Sequence, residues 1–474
     1  MATRSLLFLA ALHYLLGGQL AAAIELDPTS ADSVKDAAST IVYGMMKYYT
    51  GNQTGDTPGN LPDPYYWWET GGMFGHMVDY YYYTNVSTYN EATVQAIVHQ
   101  AGDVGDFMPA NQTKTEGNDD QVFWAFTAMD AAELNFVSPD SGPAGDGQPS
   151  WVSMGQAVFN EQATRWDNST CNGGLRWQIF TWNSGYDYKN VVSNGGFFQL
   201  AARLARYTGN ETYTEWAKTE WDWFSNSILY ESDTHKIYDG TSDTDNCTEV
   251  DHTQWTYNYG VWLSGLAYMY NHTEEDVWLQ HLNGILNQTI NTFFPTKYDD
   301  IMVEVACEPY GTCTTDQFTF KGFTMRWLAL VAQLVPTTAS TIWPLIQASA
   351  KGAAGQCDGG TDGVTCGMTW NATTWDGSYG VGQQMSALAA VQANMITIND
   401  LKPPYTTDTG GTSKGDPSAG TGSDSSGGGS GSGGGASSRV YTDPITGGDK
   451  AGAGILTALM LLFTLGGAAW MVIF

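Results

Sequence analysis

Residues 117–126, GNDDQVFWAF, set two aspartates side by side at the start of an apolar helical run. Adjacent acids at a helix start often serve as caps, because the positive end of the helix dipole favours them. The same pair suits glycosyl transfer. Consecutive helical residues point about 100° apart, so Asp119 and Asp120 can face one cleft. Retaining glycosidases need two carboxyls about 5–5.5 Å apart, one as nucleophile and one as acid and then base. A helix N-terminus favours the ionised form of one member. The like charge raises the pKa of the other. One short stretch therefore has the means to divide the two roles.

Other side chains are suited to holding a sugar. Trp67, Trp68, Trp124, Trp177 and Trp255 offer flat faces for stacking. Asn194, Tyr257, Asn258 and Lys321 fall in first turns of apolar helical segments and can hold hydroxyls. A lysine turned into a cleft must pair with an acid or a ligand. Asp239, in IYDGTSD, is a candidate contact for the donor sugar. The adjoining DGTSDTDN is rich in oxygen ligands but lacks the spacing of a calcium loop. The mature histidines show no H-E-x-x-H or other metal spacing. The expectation is chemistry with no metal and no cofactor.

The elements that must position these residues recur twelve times with helical periodicity. The odd members are amphipathic: SVKDAASTIVYGMMKYY, EATVQAIVHQAG, MGQAVFNEQATRW, TYTEWAKTEWDWFSNSIL, VWLQHLNGILNQTINTF and ASTIWPLIQASAKGAA. The even members are apolar or small nearly all round: WWETGGMFGHMVDYYYY, DDQVFWAFTAMDAAEL, VVSNGGFFQLAARLARY, TQWTYNYGVWLSGLAYMY, FTFKGFTMRWLALVAQL and GVGQQMSALAAVQANM. A helix apolar on every side is buried, and one with a single stripe lies on the surface. Six pairs closing into a ring satisfy both, with the even helices inside and parallel. Six inner N-termini then meet at one end and line a common cleft. The pattern predicts an all-α (α/α)6 toroid over residues 24–402, with an irregular stack of helical hairpins as its rival. Glycine costs about 1 kcal/mol in a helix. Gly71, Gly72, Gly195, Gly196 and Gly322 therefore mark either close helix approach or room for a ligand.

With YYWWETGGMFG, GNDDQVFWAF, CNGGLRWQIF, GYDYKNVVSNGGFFQLAARLARYTGN, QWTYNYGVWLSGLAYMYN and FKGFTMRW in this order, the chain resembles glycoside hydrolase family 76, the endo-1,6-α-mannanases. It is most similar to the fungal GPI-anchored cell-wall branch, named for defective filamentous growth and defective cell wall. The resemblance spans about residues 63–401 and implies an (α/α)6 barrel with a dyad of adjacent aspartates. Asp119 would be the nucleophile and Asp120 the acid/base. It also implies α-mannoside glycans as donor, either the GPI-anchor mannose core or α-1,6-mannan. β-Glucan would be the acceptor in a transglycosylation. Where bacterial members carry YNQG, this chain reads Tyr257-Asn258-Tyr259-Gly260, which predicts a different subsite near Tyr259. The alternatives are a hydrolytic endo-1,6-α-mannanase, a non-catalytic mannan-binding wall protein, and an inverting glucanase or lyase on the same toroid. The last would need acids on separate elements.

The ends of the chain indicate where it works. Residues 1–23 read as a secretory signal peptide, with Arg4, an apolar run and Ala21-Ala22-Ala23. Residues 403–438 read as a flexible Gly/Ser-rich stalk, low in complexity from about 408 onward. Within the stalk, GTSKG places Ser413 in a G-x-S-x-G pattern that is read as chance. Residues 439–474 read as a GPI-attachment propeptide with an apolar tail, attachment falling at Gly435 or Ala436. The expected location is the cell surface, tethered to the plasma membrane or wall.

Six cysteines allow fifteen connectivities. Short loops favour Cys307–Cys313 and Cys357–Cys366, which leaves Cys171–Cys247. Nine sequons, at Asn52, Asn85, Asn111, Asn168, Asn210, Asn246, Asn271, Asn287 and Asn371, mark outward faces of a glycoprotein. A net charge of -30 excludes nucleic acid as a partner.

Overall fold

In a computed structural model, residues 23–112 and 114–421 are described. The expected signal peptide up to residue 22, the expected attachment residues Gly435 and Ala436, and the apolar tail lie outside them. Within the described residues the twelve expected helices all form. They are α1 Ala31–Met46, α2 Trp67–Thr84, α3 Asn90–Gln100, α4 Asn118–Glu133, α5 Trp151–Thr164, α6 Val191–Thr208, α7 Glu211–Asn226, α8 Thr256–Thr273, α9 Asp276–Phe293, α10 Gln317–Leu334, α11 Ala339–Gly355 and α12 Val381–Gln392. A four-residue helix, α13 Met395–Ile398, follows. Side-chain caps start several of them: Ser30 accepts from Ser33 N, Ser150 from Ser153 N and Asn190 from Ser193 N.

The alternation in the sequence becomes two layers. The helices α2, α4, α6, α8, α10 and α12 pack each on the next, and α12 returns to α2. The odd helices lie outside this ring: α1 against α12, α3 against α2, α7 against α6 and α9 against α8. The chain is an all-α (α/α)6 barrel. Every residue of α12 is buried. The outer helix α9 buries only Trp278, Leu282, Ile285, Leu286, Thr289 and Phe293, one stripe at helical spacing.

The inner glycines are there for packing. A Cβ at Gly71 would meet the Trp124 ring at 2.9 Å, and one at Gly322 would meet the Ser386 backbone at 2.7 Å. At Gly72, Gly195 and Gly196 the obstacles are Phe323, Val261 with Trp262, and Val122. All five face side chains or backbone of other inner helices, so the close-approach reading holds and the ligand-space reading falls.

A small antiparallel sheet, absent from the sequence reading, rims the cleft. It comprises β1 Tyr188–Asn190, β4 Gly240–Ser242 and β5 Val250–Asp251. Pairing of Asn190 with Gly240 brings the start of α6 beside Asp239. The strands β2 Tyr230–Glu231 and β3 Lys236–Ile237 form a separate ribbon.

The expected stalk is corrected at its start. Residues 403–421 lie as a strap on the barrel. Tyr405 N donates to Glu133 O, Arg206 to Pro404 O and Thr407 N to Tyr207 O. Ser413 Oγ accepts from Val152 N at the start of α5, and Asp416 N donates to Gln156. Composition missed this because the strap is held largely by its backbone groups, which any sequence possesses, with a few hydroxyls such as that of Ser413 beside them.

Three disulfides close, Cys171–Cys247, Cys307–Cys313 and Cys357–Cys366. Among the sequons, Asn52, Asn85, Asn111, Asn168, Asn246 and Asn287 are exposed. Asn210 and Asn371 are half-buried. Asn271 is the exception: its Nδ2, the atom a glycan would take, donates to Leu334 O while its Oδ1 accepts from Arg206. That acceptor is withdrawn.

Candidate active site

Helix α4 begins at Asn118, with Gly117 as its N-cap in extended backbone. Lacking a side chain, Gly117 cannot cap in the usual way. Asp120 supplies the reciprocal half of the capping box: its Oδ2 accepts from Gly117 N at 2.6 Å. Its Oδ1 makes no hydrogen bond among the described residues. Asp119 is nearly buried, with 9 % of its surface exposed. Asn190 Nδ2 donates to its Oδ2 at 2.8 Å, and Asp120 N donates to its Oδ1 at 2.9 Å. The choice between cap and catalyst is thus no choice, because Asp120 caps with one oxygen and keeps the other free.

Burial pushes both carboxyls upward. For Asp119 the bonds from Asn190 and Asp120 N oppose the rise. For Asp120 the charge of Asp119 adds to burial and drives it further. Asp119 therefore ionises first, and Asp120 keeps its proton.

Two chambers open at the mouth. The inner, of about 240 Å³, is lined by Asp119, Asp120, Tyr188, Asn190, Asp239, Trp255, Tyr257 and Phe320, among others. The outer, of about 460 Å³, is lined by Tyr66, Trp67, Gln112, Thr115, Glu116 and Gln178. Trp68, Asp120, Trp177 and Asp316 belong to both and form the boundary. Asp119 faces the inner chamber alone. Of the two acids, only Asp120 can reach a group in either.

Five inner helices, α2, α4, α6, α8 and α10, bring residues to these walls. The sixth does not: Val381 N at the start of α12 donates to the Tyr65 hydroxyl, which covers that end. In the inner chamber Asp239 is held from two sides, by the Tyr188 hydroxyl at 2.9 Å and by Asn258 Nδ2 at 3.2 Å. Tyr257 lies flat on Phe320, 3.7 Å between ring centres. Trp68 donates its indole N–H to Asp316 at 3.1 Å.

Several sequence candidates fall elsewhere. Trp124 is fully buried between Phe107 and Trp67. Asn194 is buried and bonds the Leu175 backbone through both ends of its amide. Asn258 is also buried, one layer behind the wall, and acts there through Asp239. Lys321 points away from the cleft, to Glu308 at 2.9 Å and Met368 O at 2.6 Å, with Trp370 beneath it. It does pair with an acid, as its burial demands. Tyr259 is sealed from the chambers. Its hydroxyl donates to Gln254 and accepts from Ile237 N, so the departure from YNQG shapes the supporting wall. The oxygen-rich loop after Asp239 spends its carboxylates internally, Asp243 on Arg176 and Asp245 on Thr248 N.

Sequence reading missed Asn190, Tyr188, Glu116, Gln178 and Asp316. For two of them a signal existed. Asn190 is an N-cap directly before VVSNGG, and Asp316 directly precedes the inner segment QFTFKG, as Asp119 and Asp120 open theirs.

The model of the family described as glycosyl hydrolase family 76 matches residues 33–408. A mannan endo-1,6-alpha-mannosidase, DCW1, of Saccharomyces cerevisiae is 48 % identical over 451 residues, 95 % of each chain. The crystal structure of Dfg5 from Chaetomium thermophilum in complex with glucosamine superposes with a TM-score of 0.78 at 41 % identity, covering 83 % of this chain and 97 % of that one. The GH76A alpha-1,6-mannanase from Salegentibacter sp. HEL1_6 shares the fold at 16 % identity, with a TM-score of 0.61 over 76 % of this chain and 98 % of its own.

Proposed function

The chain belongs to glycosyl hydrolase family 76, and from that premise we propose that it is a cell-surface mannan endo-1,6-α-mannosidase-type enzyme working by retention and transfer. Asp119 attacks the anomeric carbon of a mannose in the inner chamber. Asp120 protonates the leaving oxygen, which exits toward the outer chamber. Asp120 then takes a proton from an incoming hydroxyl that enters by the same side. The observation that carries this reading is the division of the pair: Asp119 borders one chamber and Asp120 both.

The finer reading concerns donor and acceptor. An outer chamber walled by Tyr66, Trp67, Trp177 and Gln178 suits a second sugar chain. An acceptor seated there competes with water for the mannosyl-enzyme. This supports transfer of the GPI-anchor mannose core to β-glucan over simple hydrolysis. Asp239, Tyr257 and the boundary residues Trp68 and Trp177 would hold the donor. The three disulfides and the exposed sequons accord with an oxidising, extracellular setting, in which a GPI tether would keep the enzyme at the plasma membrane.

The test is to incubate the protein with a short GPI-glycan analogue and β-glucan oligosaccharides and weigh the products. A mannosyl–glucan adduct is expected. Free mannosides alone would reduce the activity to hydrolysis. Asp119→Asn separates enzyme from lectin: a binding protein keeps its biological activity without that carboxylate, and an enzyme loses it.

A further inference from the structure

Helices α4 and α10 stand opposite each other in the ring, with α2 and α12 on one side and α6 and α8 on the other. Their apolar faces meet in the middle, Phe123 against Phe323 at 4.7 Å. Their N-termini face the same two chambers. One brings Asp119 and Asp120, and the other brings Asp316. Although Asp316 is the residue before α10, its side chain makes no cap bond. It turns to the cleft, where only the neutral indole N–H of Trp68 holds Oδ1.

The two steps of retention make unequal demands on Asp120. At rest, the Asp119 charge helps Asp120 hold its proton. Once Asp119 is esterified by the sugar that charge is gone, and Asp120 becomes a weaker base just when a base is needed. A second charge that survives the first step would correct this. The titratable groups around Asp120 are few. Glu116 precedes it, with Asp106 and Arg165 behind. Burial drives Glu116 far up, so it is a neutral acid. Glu69 of α2, behind Asp316, is pushed up to about 9 and is also neutral. Tyr257 is a neutral phenol, and Asp239 is pinned on the inner side by Tyr188 and Asn258. Asp316 shares the walls of both chambers with Asp120, and its charge raises that carboxyl. Burial raises Asp316 itself, and the Trp68 N–H on its carboxylate opposes that rise and favours the charged form.

Resting on the retaining reading above, we propose that Asp316 is a positioning residue for the second half-reaction, whose persistent charge keeps Asp120 basic while Asp119 is esterified. In that step the acceptor O–H gives its proton to the Asp120 carboxylate. The acceptor oxygen bonds to the anomeric carbon. The bond to Asp119 breaks, and its electron pair returns to the Asp119 carboxylate.

The test uses the purified protein, the 2,4-dinitrophenyl glycoside of α-1,6-mannobiose, and Asp316→Asn. This leaving group needs no proton, so the first step is spared. Expected are kcat/KM within about twofold of the parent, kcat about tenfold lower, and KM lower in proportion. A burst of dinitrophenol and a mannobiosyl group on the peptide carrying Asp119 accompany them. Azide, a nucleophile with no proton to lose, restores turnover, and Asp316→Glu restores kcat without it. Unchanged kcat in Asp316→Asn overturns the inference, as does a parallel loss of kcat and kcat/KM that azide does not rescue. If Asp119→Asn still gives the burst, the retaining reading falls instead. If the sugar is found on Asp119 while Asp316→Asn behaves as the parent, only the role of Asp316 falls.

Discussion

The two ends of the same six helices treat carboxylates in opposite ways. At the closed end, Arg203 of α6 pairs with Asp130 at 2.6 Å and Glu133 at 2.8 Å, both on α4. Arg326 of α10 pairs with Asp79 of α2 and with Asp130, the latter at 2.6 Å. The Tyr268 hydroxyl of α8 donates to Glu133. Every acid in this cage has a partner, and the cage ties five inner helices together. At the open end, Asp119, Asp120, Asp239 and Asp316 line the chambers, and among the described residues no lysine or arginine lines either one. Buried charge without a countercharge is costly. A fold that neutralises acids at one end and leaves them bare at the other holds the bare ones for a ligand.

The sharpest way to break this contrast is to remove one charged side chain from each end. Asp119→Asn should lower the rate on α-1,6-mannan by about a thousandfold or more, with an unchanged melting temperature. Arg203→Met strands Asp130 and Glu133 and should cost about 3–5 kcal/mol of stability in denaturant titrations. The activity of the molecules still folded should persist. If the first variant unfolds, or the second loses activity while folded, the two ends are not separate devices.

A smaller effect is expected from Asn190→Ala. Its amide favours the ionised form of Asp119, so its loss raises that pKa, and the acid limb of the rate profile moves to higher pH. A fall of about tenfold in rate near the optimum should accompany the shift. Stability also has a pH signature. Glu69 is pushed from 4.5 up to about 9 by burial, then by the Asp316 charge. An acid whose folded pKa is raised stabilises fully below its unfolded value, and that contribution is lost as pH rises to the folded value. The melting temperature should therefore fall between about pH 4.5 and about pH 9, and Glu69→Gln should flatten the slope. The smallest change is Ser413→Ala. Losing the hydroxyl that accepts from Val152 N should cost about 1 kcal/mol and leave mannan cleavage untouched, against any nucleophile in GTSKG.

Much of the barrel was legible because its signal is one-dimensional. Helices such as SVKDAASTIVYGMMKYY carry one stripe, and helices such as VGQQMSALAAVQ carry none, so the sequence itself says which are inside. The aspartate pair was legible for the same reason, since a helix start and its polarity are local. The substrate wall was less so. Trp124 and Trp68 look alike in the sequence, yet one is packed behind Gly71 and the other stands at the boundary between chambers. Lys321 and Asp316, five residues apart, went opposite ways: the lysine to Glu308 behind the wall, the aspartate into the cleft. The strap was misread because backbone bonding leaves no mark on composition.

By itself, then, the amino-acid order determined which segments coil, which of them hide, and that two acids open the fourth helix. Only the folded ring decided which other side chains share their space. Helical phase is set by neighbours along the chain, whereas the partner across the barrel is set by closure. Closure alone brings Asp316 to Asp120, nearly two hundred positions away in the chain.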